Sequence, residues 1–290
     1  MTLATALDSL LERIRAASPG ASIAWLEDAV VALRRGAPPE PTLAHFTAAA
    51  RRLGRDVLPA EPDASLPGPD DPVPVSVLTC DAAGRVALLL AVAEGSAPAV
   101  ESIVWKAYRE GDTREKIAVV RALPLLPGGA RFVPVALDAG RINETALFQA
   151  LASDNPFPAR HYPELELNKL VLKAAFVGAP IDRITGLLRR ANPELARAAM
   201  EYIDQQESAG RAFPPDLWLA IAPHPPPGAV GRMLGYLSHA VAAQRGGAAH
   251  GLRIVAQLRT ASFLEERLGA ERDPAVKTAI ERALATGGRP

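Results

Sequence analysis

The chain has 290 residues, 49% hydrophobic and 22% charged, a composition that builds a sizeable core and is not that of a disordered chain. Its 32 basic and 32 acidic side chains cancel, and aromatics are only 5%, which argues against a nucleic-acid partner, a base-stacking platform or an anionic-membrane footprint. A single cysteine, Cys80, excludes an intramolecular disulfide and a Cys-rich metal site.

Apolar spacing of three and four residues dominates from the start. Leu3, Leu7, Leu10, Leu11 and Ile14 share one helix face, stopped by Ser18-Pro19-Gly20. Ser22 can cap a second helix with Ile23, Leu26, Val30 and Leu33 inward, and Leu43, Phe46 and Leu53 mark a third. These predict an N-terminal helical unit over 1–58. The segment 59–80 then holds six prolines between Pro59 and Pro74, with one glycine and four acidic residues, and reads as a linker or surface strap. Pro72 to Leu78 is rich in β-branched residues, but its prolines demote it to an edge or extended strap, and no second strand is evident.

From Asp81 onward helices follow one another with short punctuation. Arg85 to Ala93 and Pro98 to Glu110 precede Asp112-Thr-Arg-Glu115, a capping box whose helix carries Ile117, Val120 and Leu123 and ends at Pro124 to Gly129. Phe132 to Ala139 is a short helix stopped by Gly140, and Asn143 is expected to cap Glu144 to Leu151. Later starts lie at Asp182, Asn192-Pro193-Glu194 and Asp273-Pro274; the Asn-Pro-Glu triplet combines a cap, a preset φ and a favourable charge. The fold class is therefore all-α, an irregular stack of antiparallel helix pairs, as a HEAT-like α-solenoid or a compact helical array. Met1 to Ala17 lacks a basic start and carries Asp8, Glu12 and Arg13, unlike a signal peptide. The longest clean apolar run, Val86 to Ala93, is too short to span a bilayer, so a cytoplasmic protein without membrane insertion is expected.

Unusual polar residues concentrate between Arg141 and Trp218. Arg141 and Asn143 sit at a helix junction. Asn155, in Asp154-Asn155-Pro156-Phe157-Pro158, reads as an Asx-type turn residue or a ligand contact. On the helix Leu165 to Val177, Glu166, Lys169 and Lys173 share one narrow arc. Either the two lysines meet an anionic ligand in a cleft, or Glu166 pairs with both on a thin exposed strip. Asn168 falls on the apolar side, where an unpaired amide costs about 1–3 kcal/mol; a loop backbone near Asn155 or a ligand is its expected partner. Arg190 and Asn192 lie at the next junction, and Arg211, after Ala209-Gly210, can fold back toward it.

No His-Glu-x-x-His, Cys-x-x-Cys, Gly-x-Ser-x-Gly or Walker loop occurs. The five histidines, His45, His161, His224, His239 and His250, have no partner at i+3 or i+4, so neither a metal site nor a cofactor is expected. Gly128-Gly129-Ala-Arg131 is explained by helix termination.

Several of these short motifs, taken in order, resemble the EboA family. They are Gly140-Arg-Ile-Asn143, Asp154-Asn-Pro-Phe-Pro158, Leu167-Asn-Lys-Leu-Val-Leu-Lys173-Ala-Ala-Phe176-Val-Gly178, Gly186-Leu-Leu-Arg-Arg190-Ala-Asn192, and Ala209-Gly-Arg211 with Trp218. The resemblance runs from about Asp81 to Trp218 and more weakly into the N-terminal helices, which suggests a family-like core over 81–245 and a C-terminal helical extension over 246–290. It implies a helical-repeat protein encoded in bacterial secondary-metabolite clusters beside a UbiA-like prenyltransferase and TIM-barrel and sugar-dehydratase-like enzymes. Those clusters are linked to moving precursors toward the periplasm. It supplies no catalytic residues. The expected binding residues are Arg141, Asn143, Asn155, Asn168, Lys169, Lys173, Arg190, Asn192 and Arg211. Two functions stand side by side. One is a non-enzymatic scaffold that binds a cluster partner protein or a small anionic or prenylated metabolite. The other is an enzyme acting on an anionic or phosphorylated small molecule in a Lys/Asn/Arg-lined pocket.

Overall fold

The computed structural model describes residues 3–59, 61, 64–69, 71–75, 77–255 and 261–287. Among them the chain forms 17 α-helices, three 3-10 turns and one two-stranded antiparallel ribbon, so the fold is all-α. Contacts divide it into two compact units, Met1–Pro163 and Glu164–Pro290. None of the described helices is long and apolar enough to cross a membrane.

In the first unit, α1 (Leu3–Ala17), α2 (Gly20–Arg34) and α3 (Thr42–Leu53) bury the faces their spacing predicts, with Leu7, Leu10 and Ile14 or Ile23, Leu26 and Val30 inward. The cap of α2 is Pro19 rather than Ser22, because the chain turns into helix three residues earlier. The proline-rich segment contains β1 (Ser65–Leu66) paired with β2 (Val73–Pro74). The strand that lacked an evident partner thus finds one in its own segment. Two residues per strand are too few to write a period of two, so the pairing leaves no pattern in the sequence.

The helix α4 (Cys80–Gly95) packs against α1, α2, α3 and α6. It is apolar almost all round, and every residue from Cys80 to Ala93 is buried, as expected of a core helix. At its end, a Cβ on Gly95 would lie 1.8 Å from the Leu33 carbonyl oxygen, so only glycine allows α2 this close. Two charges go inside with the helix. Asp81 and Arg85 are 1% and 2% exposed and pair at 2.5 Å, while Arg85 Nε donates to the Phe46 carbonyl at 3.0 Å and the Thr79 hydroxyl donates to Asp81 at 2.6 Å.

The unit continues through α5 (Val100–Glu110), α6 (Thr113–Ala122), α7 (Val133–Arg141), α8 (Thr145–Ala152) and α9 (Phe157–His161). The Asp112–Glu115 capping box opens α6 with both reciprocal bonds at 2.9 Å. A 3-10 turn over Gly129–Phe132 leads into α7, and Glu144, rather than Asn143, caps α8.

The second unit holds α10 (Glu164–Val177), α11 (Leu187–Arg190), α12 (Pro193–Ser208), α13 (Trp218–Ile221), α14 (Ala229–Tyr236), α15 (Ala242–Val255), α16 (Ala261–Ala270) and α17 (Pro274–Gly287). Asp182 does not start a helix. Its backbone N–H and that of Ile181 donate to the Asp216 carboxylate at 3.2 and 2.6 Å, which holds the segment in turns until Gly186. Phe213, Trp218 and Tyr236 form a ring cluster with centroids 5.3–5.6 Å apart. The α15–α17 assembly closes on Glu271, 3% exposed. Its carboxylate accepts from Arg245 at 2.6 and 2.9 Å, from Arg267 at 2.9 Å, and from the backbone N–H groups of Arg272 and Asp273 at 2.8 and 3.0 Å.

Candidate functional site

The residues singled out by sequence divide between the two units. Asn155 is buried in the first, where its amide donates to the carbonyls of Val120 and Ala150 at 3.2 and 3.1 Å and its oxygen accepts from Phe157 N–H at 3.0 Å. That last bond is the Asx turn; the preceding Asp154 has φ +52°, a backbone that few non-glycine residues adopt. One side chain thus ties the end of α8 and the start of α9 to α6. Asn143 is exposed at the α7–α8 junction, and Arg141 ends α7.

In the second unit, Asn168 of α10 and Asn192 meet through two reciprocal amide bonds, 3.1 and 2.9 Å long. The partner of Asn168 is therefore another side chain rather than the loop backbone expected from sequence. Asn192 also accepts from Leu195 N–H at 2.8 Å, capping α12, and donates to the Arg190 carbonyl at 3.3 Å. Lys169 extends to Glu166 at 2.8 Å on an exposed strip. Lys173 is half-buried, and desolvation lowers its ammonium pKa. Arg190 is half-buried at the end of α11, and exposed Arg211 donates to Gln206 at 2.9 Å instead of reaching back to the Arg190–Asn192 junction. The structure thus joins Asn168, Asn192 and the Arg190 backbone in one clasp.

Of the sequence candidates, Arg141 alone lines a described cleft. This opening of about 490 Å³ lies in the first unit, walled by α5, α6 and α7. Trp105, Tyr108 and Arg109 follow at i, i+3 and i+4 on α5, Lys116 comes from α6, and Asp138 and Arg141 stand three residues apart on α7. The Arg109 guanidinium lies 4.7 Å from the Trp105 ring centroid and the Lys116 ammonium 5.7 Å from the Tyr108 centroid, so ring faces position both cations. The Tyr108 hydroxyl donates to Asp138 Oδ2 at 2.8 Å. Burial, then this bond and the carboxylate charge, push the Tyr108 pKa far up, so it remains a donor at neutral pH.

Among the described residues Arg109, Lys116 and Arg141 make no ion pair, which leaves three cations against one carboxylate on the cleft wall. Such an opening is suited to attracting and orienting an anion. Of this lining, the sequence singled out Arg141 and not Trp105, Tyr108, Arg109, Lys116 or Asp138. Each helix showed its own spacing, but their convergence depends on how three helices pack. A second hollow, of about 390 Å³ in the second unit, has mainly small side chains with Asp216 and His250. Burial raises the Asp216 pKa and lowers that of His250, so it disfavours charge on both. Among the described residues, no group of three or more His, Cys, Asp or Glu side chains is placed to hold a metal ion.

The family model described as "Metabolite traffic protein EboA" matches residues 6–222. No curated protein and no solved structure matches the chain.

Proposed function

The chain belongs to the EboA family, and from that premise we propose that it serves metabolite traffic as a non-enzymatic helical scaffold that binds a small metabolite. In this reading it works in the cytoplasm with the proteins of a bacterial secondary-metabolite cluster, receiving a small anionic or prenylated metabolite or handing it to a partner protein. The observation that carries the reading is the α5–α6–α7 cleft. Two of its three cations, Arg109 and Lys116, are already held on ring faces, and its tyrosine fixes the Asp138 carboxylate, an arrangement suited to holding a ligand. The cleft lies inside the matched residues.

Native mass spectrometry of the protein purified from its own host tests this reading. The expected result is a bound small molecule that is lost in Arg141→Ala and recovered chemically unchanged after incubation with the isolated protein. Conversion of that molecule by the protein alone overturns the scaffold reading. A second reading, an enzyme acting on an anionic or phosphorylated small molecule, would draw on Lys173, whose ammonium pKa burial lowers. Lys173→Ala with ligand binding and traffic intact removes that alternative.

A further inference from the structure

We propose that the cleft between α5, α6 and α7 selects a small organic anion that also carries a hydrogen-bond donor, such as a phosphorylated or carboxylated polyol. This rests on the reading of the chain as a metabolite-binding protein and names the chemistry of its ligand. Arg109, Lys116 and Arg141 come from three different helices and have no carboxylate partner among the described residues. A phosphate or carboxylate supplies the missing counter-charge to all three. Arg109 on Trp105 and Lys116 on Tyr108 are held by the rings, so less side-chain freedom is lost when the anion arrives.

Asp138 adds the second requirement. A lone carboxylate beside an anion site repels the ligand unless the ligand gives it a proton to accept. Tyr108 occupies Oδ2 and fixes the carboxylate, and no bond is made to Oδ1 among the described residues. A ligand hydroxyl or amine meets that acceptor, while a bare anion leaves it facing negative charge. The site therefore distinguishes hydroxylated or aminated anions from simple ones, within a volume of about 490 Å³ that suits a small molecule.

Isothermal titration of the full chain with glucose 6-phosphate, gluconate, inorganic phosphate and glucose tests the proposal. One or both of the polyol anions should bind about tenfold more tightly than inorganic phosphate, with no binding of neutral glucose. Arg141→Ala should weaken every anion about tenfold with an unchanged melting temperature, and raising the salt concentration should do the same. Asp138→Asn should abolish the preference for the polyol anion while phosphate binding persists, since the amide removes the repelling charge. Failure of both polyol anions to bind, equal binding in Arg141→Ala, or a preference that survives Asp138→Asn overturns the proposal. The two readings fail separately. A neutral, wholly apolar molecule recovered from the host protein overturns the ligand class and leaves the metabolite-binding role standing. Turnover by the isolated protein removes the scaffold role and leaves the cleft's selectivity intact.

Discussion

The clasp of the second unit and the cleft of the first use similar polar residues in opposite ways. Asn168 and Asn192 are 8% and 7% exposed, and their amides bond to each other, to a helix N-terminus and to a carbonyl. Arg109, Lys116 and Arg141 are placed by ring contacts and helix ends but lack a protein counter-charge among the described residues. Where the protein supplies the partner, a polar residue fixes packing; where it supplies only position, the residue keeps its charge open to the cleft, which is the basis of the proposed ligand site. The Asp81–Arg85 pair and the Glu271 cluster extend the first kind of arrangement to full charges.

Substitutions separate the two kinds by what they damage. The largest loss of stability is expected from Arg85→Met, which leaves Asp81 buried without its cation and costs about 3–5 kcal/mol in chemical denaturation. Replacing both residues, as in Asp81→Leu with Arg85→Met, should recover much of that loss. A single-variant loss below about 1 kcal/mol contradicts the placement of a desolvated ion pair.

Asn192→Ala comes next, at about 2–4 kcal/mol, because it removes the α12 cap and strands the Asn168 amide. Asn168→Ala should cost about 1–3 kcal/mol, and the double variant should cost less than the sum. Additive losses would show that the two amides do not interact.

A pH effect follows from Glu271. Arg245 is the main cause holding its folded-state pKa far below the ordinary carboxylate value, with the Asp273 N–H, Arg267 and the Arg272 N–H adding to it and burial opposing. A depressed acid stabilises the fold above its unfolded pKa of about 4.3, and that contribution is lost as pH falls below this value toward the folded pKa. The denaturant midpoint should therefore decline below about pH 4, less steeply in Glu271→Gln. Identical pH profiles for the two proteins would remove Glu271 as the cause. At the small end, Arg141→Ala should change stability by less than about 0.5 kcal/mol while weakening ligand binding. A large drop in stability would move Arg141 from the cleft to the scaffold.

The helical class, the Asp112–Glu115 box, the Asn192-Pro193 start and the Asx turn at Asn155 were legible because each is written within a few neighbouring residues. The apolar run Val86 to Ala93 likewise marked the later part of α4, but not its start at Cys80, nor that Asp81 and Arg85 would go inside together. An i, i+4 acid–base pair reads the same on a wet helix as on a buried one. The exceptions at Asp182 and Asn143 have different origins, one tertiary and one local. A carboxylate 34 residues away claims the N–H of Asp182, and the neighbouring Glu144 takes the cap from Asn143.

Family membership, helix content and the local signals at Asp112, Asn155 and Asn192 were thus determined by the order of residues, since local hydrogen bonds and apolar periodicity depend on near neighbours. The Asn168–Asn192 clasp, the tiny β1–β2 ribbon, the five-donor seat of Glu271 and the convergence of Arg109, Lys116, Asp138 and Arg141 were decided by tertiary structure alone. Each joins residues from separate segments, and a helix wheel records which way a side chain points on its own helix but not what stands opposite.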